Sequence, residues 1–195
     1  MDNIAGIVLA AGEGKRFGQP KALAQFEGAS FLERVTESLK HAGCEAVIVV
    51  GGANSEAVEK LCADLDVDFI ENANWQAGQF SSLKTGLASF DSHPPGVLVA
   101  LVDHPFIKIP TYVRILDGAS LHPESIVIPT YECKRGHPVV LPKSLVMEIE
   151  NTPDSSNLRE IIKKHDNMIV EVPVEDSGIL KDIDTTSDMK DTDNK

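Results

Sequence analysis

The apolar run at residues 4–9 breaks abruptly into Ala10-Ala-Gly-Glu-Gly-Lys-Arg-Phe-Gly18, and this junction restricts the fold more than any other stretch. A continuous apolar run of strand length belongs in a sheet covered on both faces, hence in an α/β layer with parallel strands. The residues that leave such a strand lie at the edge where open α/β sheets bind ligands. Gly12, Gly14 and Gly18 let the backbone approach a ligand closely. Successive N–H groups in such a turn form a concave anion nest. Lys15, Arg16 and Lys21 add positive charge, opposed locally only by Glu13. The stretch reads as a cradle for a polyphosphate.

Its spacing excludes two common phosphate loops. A Walker A loop closes on Gly-Lys-Ser or Gly-Lys-Thr, whereas Phe17 stands where its second glycine belongs. A dinucleotide loop needs G-x-G-x-x-G, and Gly12, Gly14 and Gly18 are spaced one residue too widely.

Further along, Ser30-Phe-Leu-Glu33 is a capping box that opens a helix with Phe31, Leu32, Val35 and Leu39 on one face and Gly43 at its stop. Residues 46–50 form a second buried strand, and Gly51-Gly52 turns the chain into a helix at 55–64, followed by a short strand at 67–70. Cys62 fits a small core position and Cys44 a strand entrance. Leu83, Leu87 and Phe90 predict a helix whose start, Gly78 to Ser82, offers an anion or a base edge the unpaired N–H groups of a helix terminus. Simple capping by Ser81 or Ser82 is the structural alternative. Residues 96–102 are another central strand, and they end at Asp103-His-Pro105. A carboxylate there suits Mg²⁺, which takes one or two protein carboxylates together with water and phosphate oxygens.

Pro110 predicts a helix to residue 119, residues 125–128 a strand, and residues 129–141 a hairpin or excursion that adds an antiparallel element. A helix at 157–164 and a strand at 168–172 follow. In the extended segment at 181–185, alternation puts Asp182 and Asp184 on one side and Ile183 opposite. Residues 187–195 are polar and expected to fray. The alternation of buried strands and helices predicts one three-layer α/β/α domain with a mostly parallel sheet, spanning 1–188, with a polar tail at 189–195.

Composition narrows the class. A length of 195 residues, 42% hydrophobic, suits one domain with a sizeable core. The net charge of −12 argues against a nucleic-acid surface, and no apolar run is long enough to span a bilayer. Three scattered cysteines and an N-terminus without a basic, cleavable leader are expected of a cytoplasmic protein.

The glycine-rich stretch, Leu9-Ala-Ala-Gly12 with Gly14-Lys-Arg-Phe-Gly18 and Lys21, resembles L-A-[AG]-G-x-[GS]-x-R-[MF]-G-x-x-K. That is the signature of nucleotidyltransferases with a glycosyltransferase-A-like fold, including the molybdenum-cofactor enzymes. Gly78-Gln-Phe-Ser-Ser-Leu83 resembles a segment of their cytidylyltransferase group, as do Leu101-Val-Asp-His-Pro105 and Gly136-His-Pro138. Asp182-Ile-Asp-Thr185 resembles D-[IV]-D-T-P-x-D, with Thr186 in place of proline. The resemblance implies transfer of a nucleoside monophosphate from an NTP to the terminal phosphate of molybdopterin, with pyrophosphate released and a recipient molybdoenzyme downstream. It implies Arg16, Lys21 and Asp103 as catalytic residues. Leu9, Ala10, Ala11, Gly12, Gly14, Lys21, Gly78, Ser81 and Ser82 would bind the nucleotide. Asp103 and Asp184 would hold Mg²⁺, and Arg135 and His137 would meet the acceptor. Ala11 stands where guanylyltransferases carry glycine, so CTP is the expected nucleotide. A GTP-using or sugar-phosphate enzyme, or a nucleotide-binding accessory protein without efficient turnover, are the competing readings.

Overall fold

The computed structural model describes residues 4–190. Strand β1 (Ile4–Leu9) is buried at every position. After the glycine-rich loop, a small hairpin of β2 (Gln25–Phe26) and β3 (Ala29–Ser30) delivers the chain to helix α1 (Phe31–Ala42). The capping box forms as expected: Glu33 N donates to Ser30 Oγ at 3.0 Å, and Ser30 N donates to Glu33 Oε2 at 3.2 Å. Gly43 closes the helix in the left-handed conformation. Then come β4 (Val47–Gly51), α2 (Ser55–Asp64), β5 (Asp68–Glu71), α3 (Gln79–Leu87), β6 (Gly96–Leu101) and α4 (Ile109–Leu121). The second half runs β7 (Ile126–Tyr131), β8 (Lys134–Arg135), β9 (Val139–Pro142), α5 (Lys143–Glu150), α6 (Leu158–Lys164), β10 (Ile169–Pro173) and α7 (Thr186–Lys190).

The main sheet has the order β10-β7-β9-β6-β1-β4-β5, with β8 attached to β7. β1 pairs in parallel with both β4 and β6, β4 with β5, and β10 with β7. The predicted excursion is more than a hairpin tip. Its return strand β9 inserts between β6 and β7, antiparallel to both. The pleat divides the core between two faces. On β6 and the residue that follows it, Leu98, Ala100 and Val102 pack with α1, α2 and α4, whereas Val97, Val99 and Leu101 pack with α3, α5 and α6. This is the three-layer α/β/α architecture with a mostly parallel sheet that the sequence predicts.

Two differences have local causes. Helix α5 is absent from the sequence reading because its start carries no capping signal: Pro142 is the N-cap and makes no side-chain cap bond. It is held instead by Leu145, Val146 and Ile149, which are fully buried. At the other end, α7 continues beyond the boundary expected at 188, and Met189 packs against the core. The remainder of the predicted tail, 191–195, lies outside the described residues. Among the described residues, no helix is long and apolar enough to cross a membrane.

The capping box gives a direct test of how α1 is held. Ser30→Ala removes the acceptor for Glu33 N at a position that is 1% exposed, and we expect it to lower stability by about 1 kcal/mol. Urea denaturation reads this as a lower midpoint at unchanged slope; an unchanged midpoint would show that the cap contributes nothing.

Candidate functional site

Strand order reverses at β1: β4 and β5 lie on one side of it and β6 on the other. Such a switch point opens a crevice beyond the carboxyl ends of the strands. A cavity of about 490 Å³ lies there. One wall is the loop after β1, contributing Leu9, Ala10, Ala11, Gly12, Gly14, Arg16 and Lys21. The floor carries Val102 and Asp103 from the end of β6, with Asp184 beside them. The opposite wall is Trp75, Gln76, Gly78, Gln79 and Ser82.

The loop holds its shape through a few contacts. Gly14 has a φ of +66°, and a Cβ there would run into the Gln19 carbonyl oxygen, so the position requires glycine. Gly14 O accepts from Phe17 N at 2.9 Å and Gly18 N at 3.0 Å, which makes a single helical turn. Phe17 is buried under that turn and meets Phe31 edge-on, with centroids 5.8 Å apart. Phe31 in turn meets Phe106, which follows Asp103 by three residues, at 6.1 Å. An aromatic row thus ties the loop to the turn after β6. Among the described residues, none accepts a hydrogen bond from the backbone N–H groups of residues 12–16, so these donors are available to an anion.

The charged groups converge on one point. Lys21 Nζ donates to Asp184 Oδ1 at 2.6 Å and to Asp103 Oδ2 at 3.2 Å. Arg16 Nη1 lies 2.8 Å from Asp184 Oδ2. Burial alone would pull the Lys21 ammonium down, but Asp184 and Asp103 overcome it and leave its pKa raised. The hydrogen bond from Lys21 holds the Asp184 carboxyl below the usual range. Asp184 is itself held: Asp188 Oδ2 accepts from Asp184 N at 3.0 Å, Thr185 N at 2.7 Å and Thr185 Oγ1 at 2.9 Å. The neighbouring Ile183 N donates to Asp103 O at 2.8 Å, which joins the two carboxylate-bearing segments. Asp182 is exposed and outside this cluster. Asp188 is a positioning residue that the sequence reading did not single out, although it is the last acidic residue of the D-I-D-T-T-S-D stretch.

Among the described residues, no group of three or more His, Cys, Asp or Glu side chains is placed to hold a metal. The two carboxylates nevertheless fit Mg²⁺ or Mn²⁺. They are hard oxygen donors that already converge on one cation, the Lys21 ammonium, and Mg²⁺ completes its shell with water and phosphate oxygens.

The opposite wall departs from the residue-level expectation. Ser82 lines the cavity, but Ser81 does not; its hydroxyl is engaged with Asn74 O, Gly78 O and Asn72 Nδ2. Asn72, 3% exposed, donates to both serines at 2.9 and 3.0 Å and so fixes the start of α3. Ser81 is thus tied into the turn before α3, although no side chain caps that helix. Trp75 packs over Gly52, where a Cβ would lie 2.6 Å from that of Trp75 and 2.9 Å from that of Ala11. Asn72, Trp75, Gln76 and Gln79 were missed because no local signal distinguishes them.

A second cavity, of about 240 Å³, shares Leu9, Gly78 and Gln79 with the first. Phe80, Leu83, Val99, Leu101 and Leu158 make it apolar, and His137, Ser156 and Asn157 add polar groups. The His137 ring lies 5.3 Å from that of buried His104, and Nδ1 of each has no partner in the structure. Burial, then the neighbouring His104, draws the His137 pKa down to about 4, so its imidazole is neutral at ordinary pH. Arg135 lines neither cavity: its guanidinium pairs with Glu171 at 2.7 Å and Asp166 at 3.1 Å. The structure thus brings together Arg16, Lys21, Asp103 and Asp184, puts His137 at an adjoining apolar wall, and leaves Arg135 on the surface.

The chain is similar to known proteins along almost its whole length. A family model described as MobA-like NTP transferase domain matches residues 6–168. The chain is 31% identical to nicotine blue oxidoreductase of Paenarthrobacter nicotinovorans, over 95% of this chain and 94% of that protein. It is 24% identical to molybdenum cofactor cytidylyltransferase of Escherichia coli, over 97% and 95% of the two chains. Among solved structures, Rv0371c of Mycobacterium tuberculosis superposes with a TM-score of 0.83 at 25% identity, over 98% of this chain and 97% of that one. A manganese complex of the same protein gives 0.80 at 24% identity, covering 97% of each chain.

The neutral His137 predicts a specific acid response. Its folded pKa of about 4 lies below the ordinary 6.5, so between these values the unfolded chain binds more protons than the folded one. The stability associated with His137 is complete above pH 6.5 and is lost as pH falls towards 4. His137→Gln should flatten this part of a stability-against-pH curve measured by urea denaturation. An unchanged curve would show that His137 does not titrate in that window.

Proposed function

The chain belongs to the family of MobA-like NTP transferase domains, and from that premise we propose that it transfers CMP from CTP to the terminal phosphate of molybdopterin or a closely related phosphorylated acceptor. The carrying observation is the cleft in which Arg16 and Lys21 face Asp103 and Asp184 at the switch point of the sheet. A triphosphate seated on this loop meets the N–H groups of residues 12–16 and both cations. An acceptor phosphate oxygen then attacks the α-phosphorus in line, the α–β phosphoanhydride bond breaks, and pyrophosphate leaves with the bonding electrons. The acceptor brings its own nucleophile, so no covalent enzyme intermediate is required. Arg16 and Lys21 balance the charge that accumulates on the phosphates, and the rigid cleft supplies orientation. Asp103 and Asp184 are the groups that would hold Mg²⁺, whose chemistry is charge neutralisation and alignment of phosphate oxygens.

For the nucleotide, Ala11 is the supporting residue. Its Cβ lies beside Gly52, close enough that a Cβ on Gly52 would come within 2.9 Å of it, and it occupies space on the β4 side of the cleft that a glycine would leave open. A narrower base site favours the single ring of cytosine, with Ser82 and the two glutamines placed to meet its polar edge. For the acceptor, the adjoining apolar cavity suits a planar ring. A neutral His137 offers that ring a hydrogen bond rather than a charge for phosphate.

A second reading is favoured by one observation, the 31% identity to nicotine blue oxidoreductase over almost the whole chain. On that reading the apolar cavity takes the compound to be oxidised or reduced, and the cationic loop holds a phosphate-bearing electron carrier in a manner other than the G-x-G-x-x-G fingerprint. Loss of nicotinamide absorbance on incubation with nicotine blue would support it, and none is expected if the chain is a transferase.

The deciding assay is pyrophosphate release with purified molybdopterin and each of the four NTPs. CTP should give the highest kcat/KM, and Ala11→Gly should weaken its advantage over GTP. A wild-type preference for GTP would refute the base assignment alone. Arg16→Ala and Lys21→Ala should each lower turnover by about tenfold or more, the loss of one charge-assisted contact of ~1.5–3 kcal/mol in the transition state. Asp103→Asn should abolish the divalent-cation response while the fold persists. No pyrophosphate from any NTP would remove the transferase reading.

A further inference from the structure

Arg16 and Lys21 have two sets of partners within reach of one cleft: the carboxylates they contact and the phosphates that the proposed reaction brings. We propose that these two side chains form a counter-ion lock on Asp103 and Asp184, so that divalent-cation binding is coupled to nucleotide binding. This inference rests on the nucleotidyl-transfer reading and concerns how that site is regulated.

The geometry separates fixed parts from a movable part. Asp103 is fixed at the end of β6 by the bond from Ile183 N to its carbonyl, and Asp184 by the three hydrogen bonds that Asp188 accepts. The cations stand on the other side. The backbone of Lys21 is set by the 3-10 turn Lys21–Leu23, in which Ala22 is buried, so its freedom lies in its four-carbon stem. The Arg16 side chain is 76% exposed, and among the described residues its ion pair is with Asp184. With their segments anchored and a single side-chain methylene each, the carboxylates have little travel, whereas the longer cationic side chains can swing away.

Charge decides the consequence. With Lys21 on one oxygen of each carboxylate and Arg16 on the second oxygen of Asp184, two negative and two positive charges cancel. A divalent cation approaching this group meets little net attraction and a nearby ammonium that repels it. The Lys21 contact dominates, because its side chain is only 16% exposed and is screened least. A polyphosphate competes for both cations. Once they turn to its oxygens, Asp103 and Asp184 regain two uncompensated charges at a fixed separation and attract the metal. Metal held without nucleotide is thereby disfavoured, and metal held with nucleotide is favoured.

Mn²⁺ titration of the full chain without nucleotide, followed by electron paramagnetic resonance, tests the lock directly. Lys21→Met keeps the length of the side chain and removes its charge. It should bind Mn²⁺ about tenfold more tightly than the wild type, with Arg16→Met showing a smaller gain, as expected for a more exposed pair. Adding Asp103→Asn to Lys21→Met should abolish the gain. Thermal unfolding provides a second readout: Mn²⁺ should raise the Tm of Lys21→Met more than that of the wild type. Equal or weaker Mn²⁺ binding by both single variants overturns the lock. Wild-type pyrophosphate release judges the transferase reading separately, so normal release alongside unchanged metal affinity rejects the lock alone.

Discussion

The ion contact of Lys21 with Asp103 and Asp184 joins three distant parts of the chain at the mouth of one cleft. Each partner is only partly buried, so the contact is screened and contributes modestly to stability. Removing a single member, however, leaves like or unpaired charges facing each other in a recessed site, which is far less tolerable than removing the group as a whole. The architecture around it follows from that constraint. The end of β1 must present the lysine-bearing loop, the end of β6 must present a carboxylate next to it, and the chain must return after β10 to bring a second carboxylate.

The parallel pairing of β1 with β6 meets the first two requirements, because it places both carboxyl ends at the same edge. The aromatic row Phe17–Phe31–Phe106 sets the distance between the loop and the turn after β6 through packing rather than through charge. Close-packed rings transmit position well because a gap of even a fraction of an ångström forfeits dispersion energy. Polar groups that must exchange partners are thus mounted on apolar supports that do not. The third requirement is met by Asp188, which turns the chain at Asp184 by accepting three hydrogen bonds.

The scaffold alone does not choose the chemistry. Relatives of comparable length include a cofactor cytidylyltransferase and an oxidoreductase, so the reaction has to be argued from the site. The features that favour nucleotidyl transfer are the paired carboxylates opposite a cationic loop, which suit a metal-bound triphosphate. The adjoining apolar cavity with its neutral histidine is compatible with a planar ring in either chemistry.

The layered α/β/α class, the glycine-rich cationic loop after β1, the capped helix α1 and the meeting of Asp103 with Asp184 were all legible in the sequence. Each depends on local physics: the period of apolar residues, glycine dihedrals, a cap three residues before its partner, or a carboxylate at the end of a buried strand. Other features were decided only by tertiary structure. Helix α5 is held by burial without a cap, β9 is drawn into the sheet between two strands it could not select locally, and Arg135 is claimed by Glu171 and Asp166 across the surface. Asn72 holds both serines, but Ser81 is also taken up by the turn before α3, whereas the adjacent Ser82 lines the cleft. Sequence determines which groups a chain carries and which local conformations they prefer. Which of them share a hydrogen bond across 82 or 163 positions depends on how the layers close, because long-range pairing energies are set by distances that no local pattern encodes.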